Sequence, residues 1–371
     1  MKIVIAGDVC PSQDNVREFV SGNTTGLFND VAEILKAADL SIFNLESPIT
    51  NSPEKIEKIG PCFCAPIESA KTISKSGFVV AGLANNHIRD YGNKGVLDTL
   101  QYCQEAGMRT VGAGKNIIEA QKGLSVQVGQ HMVGILAFSD QEFSCATEAN
   151  AGANPFDALD SIDAIRNFKD QCDYLIVLYH SGIENYQYQT PDLQKRCRKM
   201  VDAGANIVVC QHSHCIGTYE AYQGAHIVYG QGNFLFESKS RRKTWRESVL
   251  INLEIEDAKH VACEFIPCVI ENGSVIVAKS RRADEIMIAF RERSLKAASD
   301  KFLRQEFAKM VESRQDSYVL ELNFRNPYIV KLLEKLGVGR IMLGKHRKKK
   351  YLDYLICDSH REILRLMLSK H

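Results

Sequence analysis

His212 and His214 stand one residue apart just past an apolar run, Ile207-Val208-Val209-Cys210, that stops at Gln211. Four apolar residues bounded by polar ones read as a short strand buried on both faces. In extended backbone, residues i and i+2 point the same way, so both imidazoles are expected to face one point in space. Histidines so placed can hold a metal, whereas an isolated His-x-His can equally be two satisfied polar residues at a strand end. The rest of the chain has to decide.

Four other apolar runs end in side chains of the same kind. Lys2 to Ala6 leads to Gly7-Asp8, and Leu40 to Phe43 leads to Asn44-Leu45-Glu46. Phe78 to Leu83 leads to Asn85-Asn86-His87, and Tyr174 to Tyr179 leads to His180. In open α/β sheets ligands bind beyond the carboxyl ends of the strands, where loops converge. Asp8, Glu46, Asn86, His180, His212 and His214 therefore form one candidate constellation. Its mixed oxygen and nitrogen donors suit manganese, iron or zinc. Six donors are too many for one tetrahedral zinc, but they divide between two divalent ions sharing a carboxylate, with Glu46 as the natural bridge. Two metals about 3.5–4 Å apart can clamp the attacking and leaving oxygens of an in-line displacement.

These strand ends need an alternating scaffold, and the sequence supplies one. Helical spacing appears around Leu27 to Leu35, over Gly95 to Glu105 with Gly107 behind it, and over Ser161 to Asp170. Thr190-Pro191 opens a further helix in the favoured order, cap then proline, and Gly204 closes it. Strand alternating with helix implies an α/β fold, a layered β-sheet core with helices covering both sheet faces. Ser248 to Glu256 alternates like a half-exposed strand, and residues 51–66, rich in Pro, Lys and Glu, read as a loop. The site and its scaffold occupy residues 1–280. Residues 281–371 read as a basic helical extension, with amphipathic stretches at Leu295 to Phe307 and Tyr328 to Leu336.

Composition bounds what surrounds the site. The 371 residues are 45% hydrophobic and 25% charged, with a net charge of +1, so no whole-molecule field draws the chain to nucleic acid. No segment approaches the roughly 18–20 apolar residues of a membrane span. The amino-terminal apolar stretch is too short for a signal sequence. Twelve cysteines without a secretion signal read as reduced thiols, and a cytoplasmic location is expected. Cys62-x-Cys64 lacks the second pair that a zinc knuckle requires.

The series Gly7-Asp8, Asn44-Leu45-Glu46, Asn85-Asn86-His87, His180 and His212-Ser213-His214 resembles the calcineurin-like metallophosphoesterases. More closely it resembles their capsule-synthesis branch, the CapA or poly-γ-glutamate synthesis family, through NLESPIT at 44–50, NNHIRDYG at 85–92, His180 to Glu184, and YGQGNFLF at 229–236. The resemblance covers about residues 1 to 270 and implies the calcineurin-like fold. It also implies that Asp8 and His214 serve one metal, that Asn86, His180 and His212 serve the other, and that Glu46 lies between. His87 would protonate the leaving oxygen, which suits a histidine near its ordinary pKa of about 6.5. Three positions depart from the wider superfamily. Cys10 stands where a histidine is usual, and is a further ligand only as a thiolate; the bridge is glutamate in place of aspartate; the acidic partner of the catalytic histidine is displaced to Asp90. Arg89, Asp90, Glu184 and Asn233 are candidate substrate contacts, with Tyr186 and Tyr188 as a candidate wall. His131 and His226, beside apolar runs, read as structural.

The leading reading is a two-metal hydrolase of a phosphoester or acyl-phosphate bond, acting on an anionic or phosphorylated substrate in a capsule or exopolymer pathway. The alternatives are an accessory protein of an envelope-polymer synthesis complex with a structural metal, and a hydrolase of γ-glutamyl amide bonds. A barrel amidohydrolase would carry its His-x-His on the first strand, and here the pair comes late. The basic run Lys345-His346-Arg347-Lys348-Lys349-Lys350 reads either as a solvated helix face or as a peripheral contact with the inner membrane leaflet. Near an anionic surface each basic residue contributes about 1 kcal/mol. Membrane contact predicts salt-sensitive co-sedimentation with anionic vesicles that disappears when residues 345–350 are neutralised; unchanged binding by that variant refutes it.

Overall fold

The computed structural model describes residues 1–342 apart from 13, 59, 238–241, 257–260, 324–326 and 339–341. The strands run in chain order as β1 (Lys2–Cys10), β2 (Leu40–Leu45), β3 (Val80–Gly82), β4 (Arg109–Val111) and β5 (Ala113–Gly114). Then come β6 (Leu124–Val128), β7 (His131–Ser139), β8 (Gly152–Ala153), β9 (Tyr174–His180), β10 (Ile207–Gln211) and β11 (Tyr219–Tyr222). The last are β12 (Ala225–Val228), β13 (Asn233–Phe236), β14 (Glu247–Ile255), β15 (Val261–Glu271) and β16 (Ser274–Val277).

They build two large sheets. One has the order β16-β15-β14-β1-β2-β3-β4, with β13 also paired to β1, and the other the order β11-β12-β10-β9-β7-β6. Alternate side chains of each central strand enter different cores. Ile3, Ile5, Ile42 and Val80 meet Ile135, Ile176, Leu178 and Val209 between the sheets. The opposite faces of the same strands lie under helices. Val4, Phe43 and Leu45 pack with Phe19, Phe28 and Ile73, while Val177, Tyr179 and Cys210 pack with Ile165, Leu193 and Met200. At about 1.5–3 kcal/mol for each fully buried aliphatic side chain, this double burial is the main driving force for the layers.

The layering is as expected, with one difference in how the faces are covered: each sheet has helices on its outer face only, and its inner face meets the other sheet. Ser248 to Glu256 is likewise not half-exposed. β14 lies between β1 and β15, and its polar Ser248 and Asn252 are buried along with Leu250 and Ile251.

Two compact units emerge, Met1–Leu303 and Arg304–His371. The helix Ser280–Ala297 belongs to the first and packs Ile286 and Phe290 against Ile216 and Val249. The expected continuous helix from Leu295 to Phe307 is broken at 298–299, where Ser299 accepts from the amide of Phe302 and a new helix, Asp300–Asn323, begins. In the second unit the helix Pro327–Lys335 exposes Tyr328 and Leu332. The basic run at 345–350 lies outside the described residues.

Strand register gathers the candidate residues. Asp8 pairs with Asn44 on one side and Asn233 on the other, Asn44 pairs with Gly82, and Gln211 pairs with His180. Halfway along β1 its neighbour changes. Lys2 to Ile5 pair with β14, whereas Asp8 to Cys10 pair with β13, with register shifts on both sides of this stretch. Gly7 sits at the change, and a Cβ there would lie 2.2 Å from the carbonyl oxygen of Gly232. Backbone cannot yield as a flexible side chain does. Gly7→Ala is therefore expected to cost about 1–3 kcal/mol, read as a lower denaturation midpoint at unchanged m-value; a wild-type midpoint would refute the crossing.

Candidate metal centre

Two donor groups form at the carboxyl ends of the strands, Glu46 with His180 and His212, and Asp8 with Glu46 and His214. Within each group one ligand atom per residue lies within 4.8 Å of the others, and Glu46 belongs to both. Asn86 joins the first, its Oδ1 lying 3.1 Å from His180 Nε2. All six residues singled out by their strand-end positions thus converge.

The elements that hold them are specific. Asp8 lies inside β1, at its register shift, because the strand continues to Cys10. Glu46 directly follows β2, and its amide donates to Val9 carbonyl oxygen. His180 is the last residue of β9. The histidine pair corrects the extended geometry expected of it: β10 stops at Gln211, and His212 and His214 have φ of 92° and 53°. Left-handed backbone is uncommon for side chains with a Cβ and is retained where surrounding structure over-determines it. The turn sends the two rings apart, with centroids 6.1 Å from each other. His212 Nδ1 comes to 3.2 Å from His180 Nε2, and His214 Nε2 to 3.7 Å from Glu46 Oε1.

Electrostatically the cluster is unfinished as a set of protein groups alone. Neither carboxylate oxygen of Glu46 has a hydrogen-bond partner, though both are buried. Burial first, then the charge of Asp8, push the Glu46 carboxyl well above the usual range. Burial also raises Asp8, against the pull of His214 and Asn44. The histidines move the other way, burial holding His180 well below its ordinary value and lowering His212 to about 3. Imidazole nitrogens of His180 and His214 lie 3.6 and 3.7 Å from the unpartnered carboxylate, and a buried anion of this kind costs several kcal/mol unless a cation meets it. The donor set therefore fits divalent metal ions.

A scaffold of buried amides surrounds the donors. Asn44 donates to Asp8 Oδ1 at 2.8 Å and lies 3.4 Å from His180 Nδ1, while Asn85 donates to Asn44 Oδ1 and to Leu45 carbonyl oxygen. Asn233, a candidate substrate contact, is fully buried; its Oδ1 lies 2.9 Å from His214 Nδ1 and its amide donates to Trp245 carbonyl oxygen. Cys10 belongs to neither donor group, and burial together with the Glu46 charge pushes its thiol well up, away from a thiolate ligand.

Beside the donors, His87 Nδ1 is 2.7 Å from Asp90 Oδ2 and 3.2 Å from Lys58 Nζ. Asp90 also accepts from Phe63 amide and pairs with the buried Lys58 ammonium, so this candidate substrate contact faces His87. Burial lowers the His87 pKa, with Asp90 opposing. Of the remaining candidates, Glu184 is exposed but near enough for its charge to raise Glu46. Arg89 is half-buried and its Nε has no partner. Tyr186 and Tyr188 pack edge to face, and Tyr188 also packs edge-on against Phe302.

A family model described as bacterial capsule synthesis protein PGA_cap matches residues 2–238, the span containing every donor. The chain belongs to this family. Among PGA_cap relatives it is 30% identical over 285 residues to the capsule biosynthesis protein CapA of Bacillus anthracis, covering 74% of this chain and 68% of that protein. It is 32% identical over 237 residues to the PGA biosynthesis protein CapA of Bacillus subtilis, covering 62% and 61% respectively. Of solved structures, a putative 5'-nucleotidase from Staphylococcus aureus is similar at 12% identity and a TM-score of 0.44, over 78% of this chain and 57% of that one. Among the described residues of this PGA_cap member no helix is long and apolar enough to cross a membrane.

Lys58 and Trp245 were not foreseen. Lys58 lies in a segment whose composition marks only a loop, and Trp245 sits nine residues past the end of β13 at Phe236, with no motif around it. The orphaned carboxylate gives a test with opposite signs. In metal-stripped protein Glu46→Gln is expected to keep or raise the unfolding temperature, because it removes an uncompensated buried charge; in protein dialysed against manganese it is expected to lower it by several degrees. A variant less stable than wild type in the stripped state would contradict this account.

Proposed function

We propose that this PGA_cap member is a metal-dependent hydrolase that uses two divalent ions, of manganese, iron or zinc type, on a phosphoester or acyl-phosphate bond in capsule or exopolymer synthesis. The observation that carries this reading is the sharing of Glu46 by two donor groups with His87 poised next to ligand Asn86. Asp8 and His214 would hold one ion, Asn86, His180 and His212 the other, and Glu46 both. When bound, such ions supply Lewis acidity toward an anionic phosphoryl or acyl oxygen.

The chain's own residues do the rest. Asp90 accepts the Nδ1 proton of His87, so Nε2 is the nitrogen that takes up a second proton, forming the imidazolium, and delivers it to the leaving oxygen, which returns the ring to neutral. Lys58 balances the Asp90 charge, so the pair does not trap the proton as an imidazolium. Phe63 packs on the His87 ring at 4.5 Å and shields this group on one side. A purely structural metal site has no use for a buried histidine braced by a carboxylate beside its ligands, and this favours catalysis over an accessory role. Family membership supplies the link to capsule synthesis.

The test is turnover of aryl phosphate mono- and diesters, and of a γ-glutamyl anilide, by stripped protein reloaded with each metal. His87→Ala is expected to lower kcat by about 10²–10⁴-fold with metal content unchanged, and Asp90→Asn to lower it less. Two bound metals without turnover of any ester would replace this reading with amide hydrolysis or the accessory role, according to whether the anilide is cleaved.

A further inference from the structure

We infer that Trp245 is a positioning residue for His214, an assignment that rests on reading the donor cluster as metal-binding. Trp245 lies beyond residue 238, where the family match ends. It sits in a 3-10 turn, Lys243–Arg246, that leads into β14. Its ring lies 4.6 Å from the imidazole of His214 at 35°, and 5.4 Å from Phe236, which itself packs edge-on against His214. Its carbonyl oxygen accepts from Asn233, whose Oδ1 faces His214 Nδ1, and its own Nε1 donates to Phe236 carbonyl oxygen at 2.9 Å. One residue thus braces His214 twice, by its ring face and through Asn233.

His214 needs bracing from outside. Its left-handed φ of 53° is a costly backbone conformation that persists only where the surrounding structure holds it. An Asn233 oxygen on Nδ1 fixes the tautomer that leaves Nε2, the nitrogen toward Glu46, as the donor, and such partners set ring orientation in metal sites. The turn is itself anchored: Arg282 pairs with Glu247 at 2.7 Å and Lys243 lies 3.5 Å from Glu285, both partners of the turn being on the helix Ser280–Ala297. That helix, expected as the start of an accessory extension, thereby supports the metal centre.

Trp245 is the single tryptophan of the chain, so its emission reports on this position alone. Manganese would be titrated into stripped full-length protein while emission is followed, with stoichiometry and affinity measured independently by equilibrium dialysis and metal analysis. Manganese uptake is expected to quench the wild-type emission. Trp245→Ala and Asn233→Ala are expected to weaken one of the two metals by about 10- to 100-fold and leave the other near wild type, and Trp245→Phe to retain most of the affinity. Uptake without any emission change, or wild-type affinity for both metals in Trp245→Ala, would overturn the inference while leaving the metal reading intact. A wild-type chain that takes up no divalent metal overturns the metal reading itself, and the inference with it. If Trp245→Ala does not fold, the wild-type titration and the Asn233 and Phe variants decide.

Discussion

Everything at this centre depends on a carboxylate placed where no protein group can satisfy it. Glu46 follows a strand buried on both faces, and its oxygens have no hydrogen-bond partner beside imidazoles of which burial keeps His180 and His212 neutral. Folding concentrates this cost at one point, and the hydrophobic layers on either side are what make it bearable. Asn44 then holds Asp8 and lies against His180, and Asn85 in turn fixes Asn44.

Much of this was legible in the sequence because strands of a layered α/β fold end together. A side chain just past an apolar run is near the common edge whatever the exact packing, so Asp8, Glu46, Asn86, His180 and the histidine pair could be grouped without coordinates. What could not be read was direction. A run buried by a helix and a run buried by a second sheet have the same composition, so helices on both faces was the natural expectation and face-to-face sheets the outcome. The His-x-His spacing suggested extended backbone, whereas the turn after Gln211 puts both residues at positive φ and sends the rings to different donor groups. Lys58 and Trp245 reach the centre from a loop and from the approach to β14, where no periodicity marks a side chain as directed inward.

The two histidines that do not share a role differ in what braces them. His87 leans on a carboxylate and an ammonium, and Phe63 packs on its ring at 4.5 Å. His214 leans on an amide and an indole. Charge behind an imidazole favours moving a proton through it; a neutral amide and an aromatic face favour holding it still. On the proposed reading, the division of labour between His87 as proton carrier and His214 as ligand rests on the residues behind them as much as on the two rings.

The change of neighbour along β1 has a consequence for what counts as the folding unit. The family match stops at residue 238, yet the strand that opens the chain completes its ladder only with β14, which begins at Glu247. A polypeptide ending at 238 would keep every donor and still leave the backbone groups of Lys2 to Ile5 as a bare edge, ready to pair with another copy. The first strand is closed by one of the last, so the interval that carries the chemistry is shorter than the interval that can fold around it.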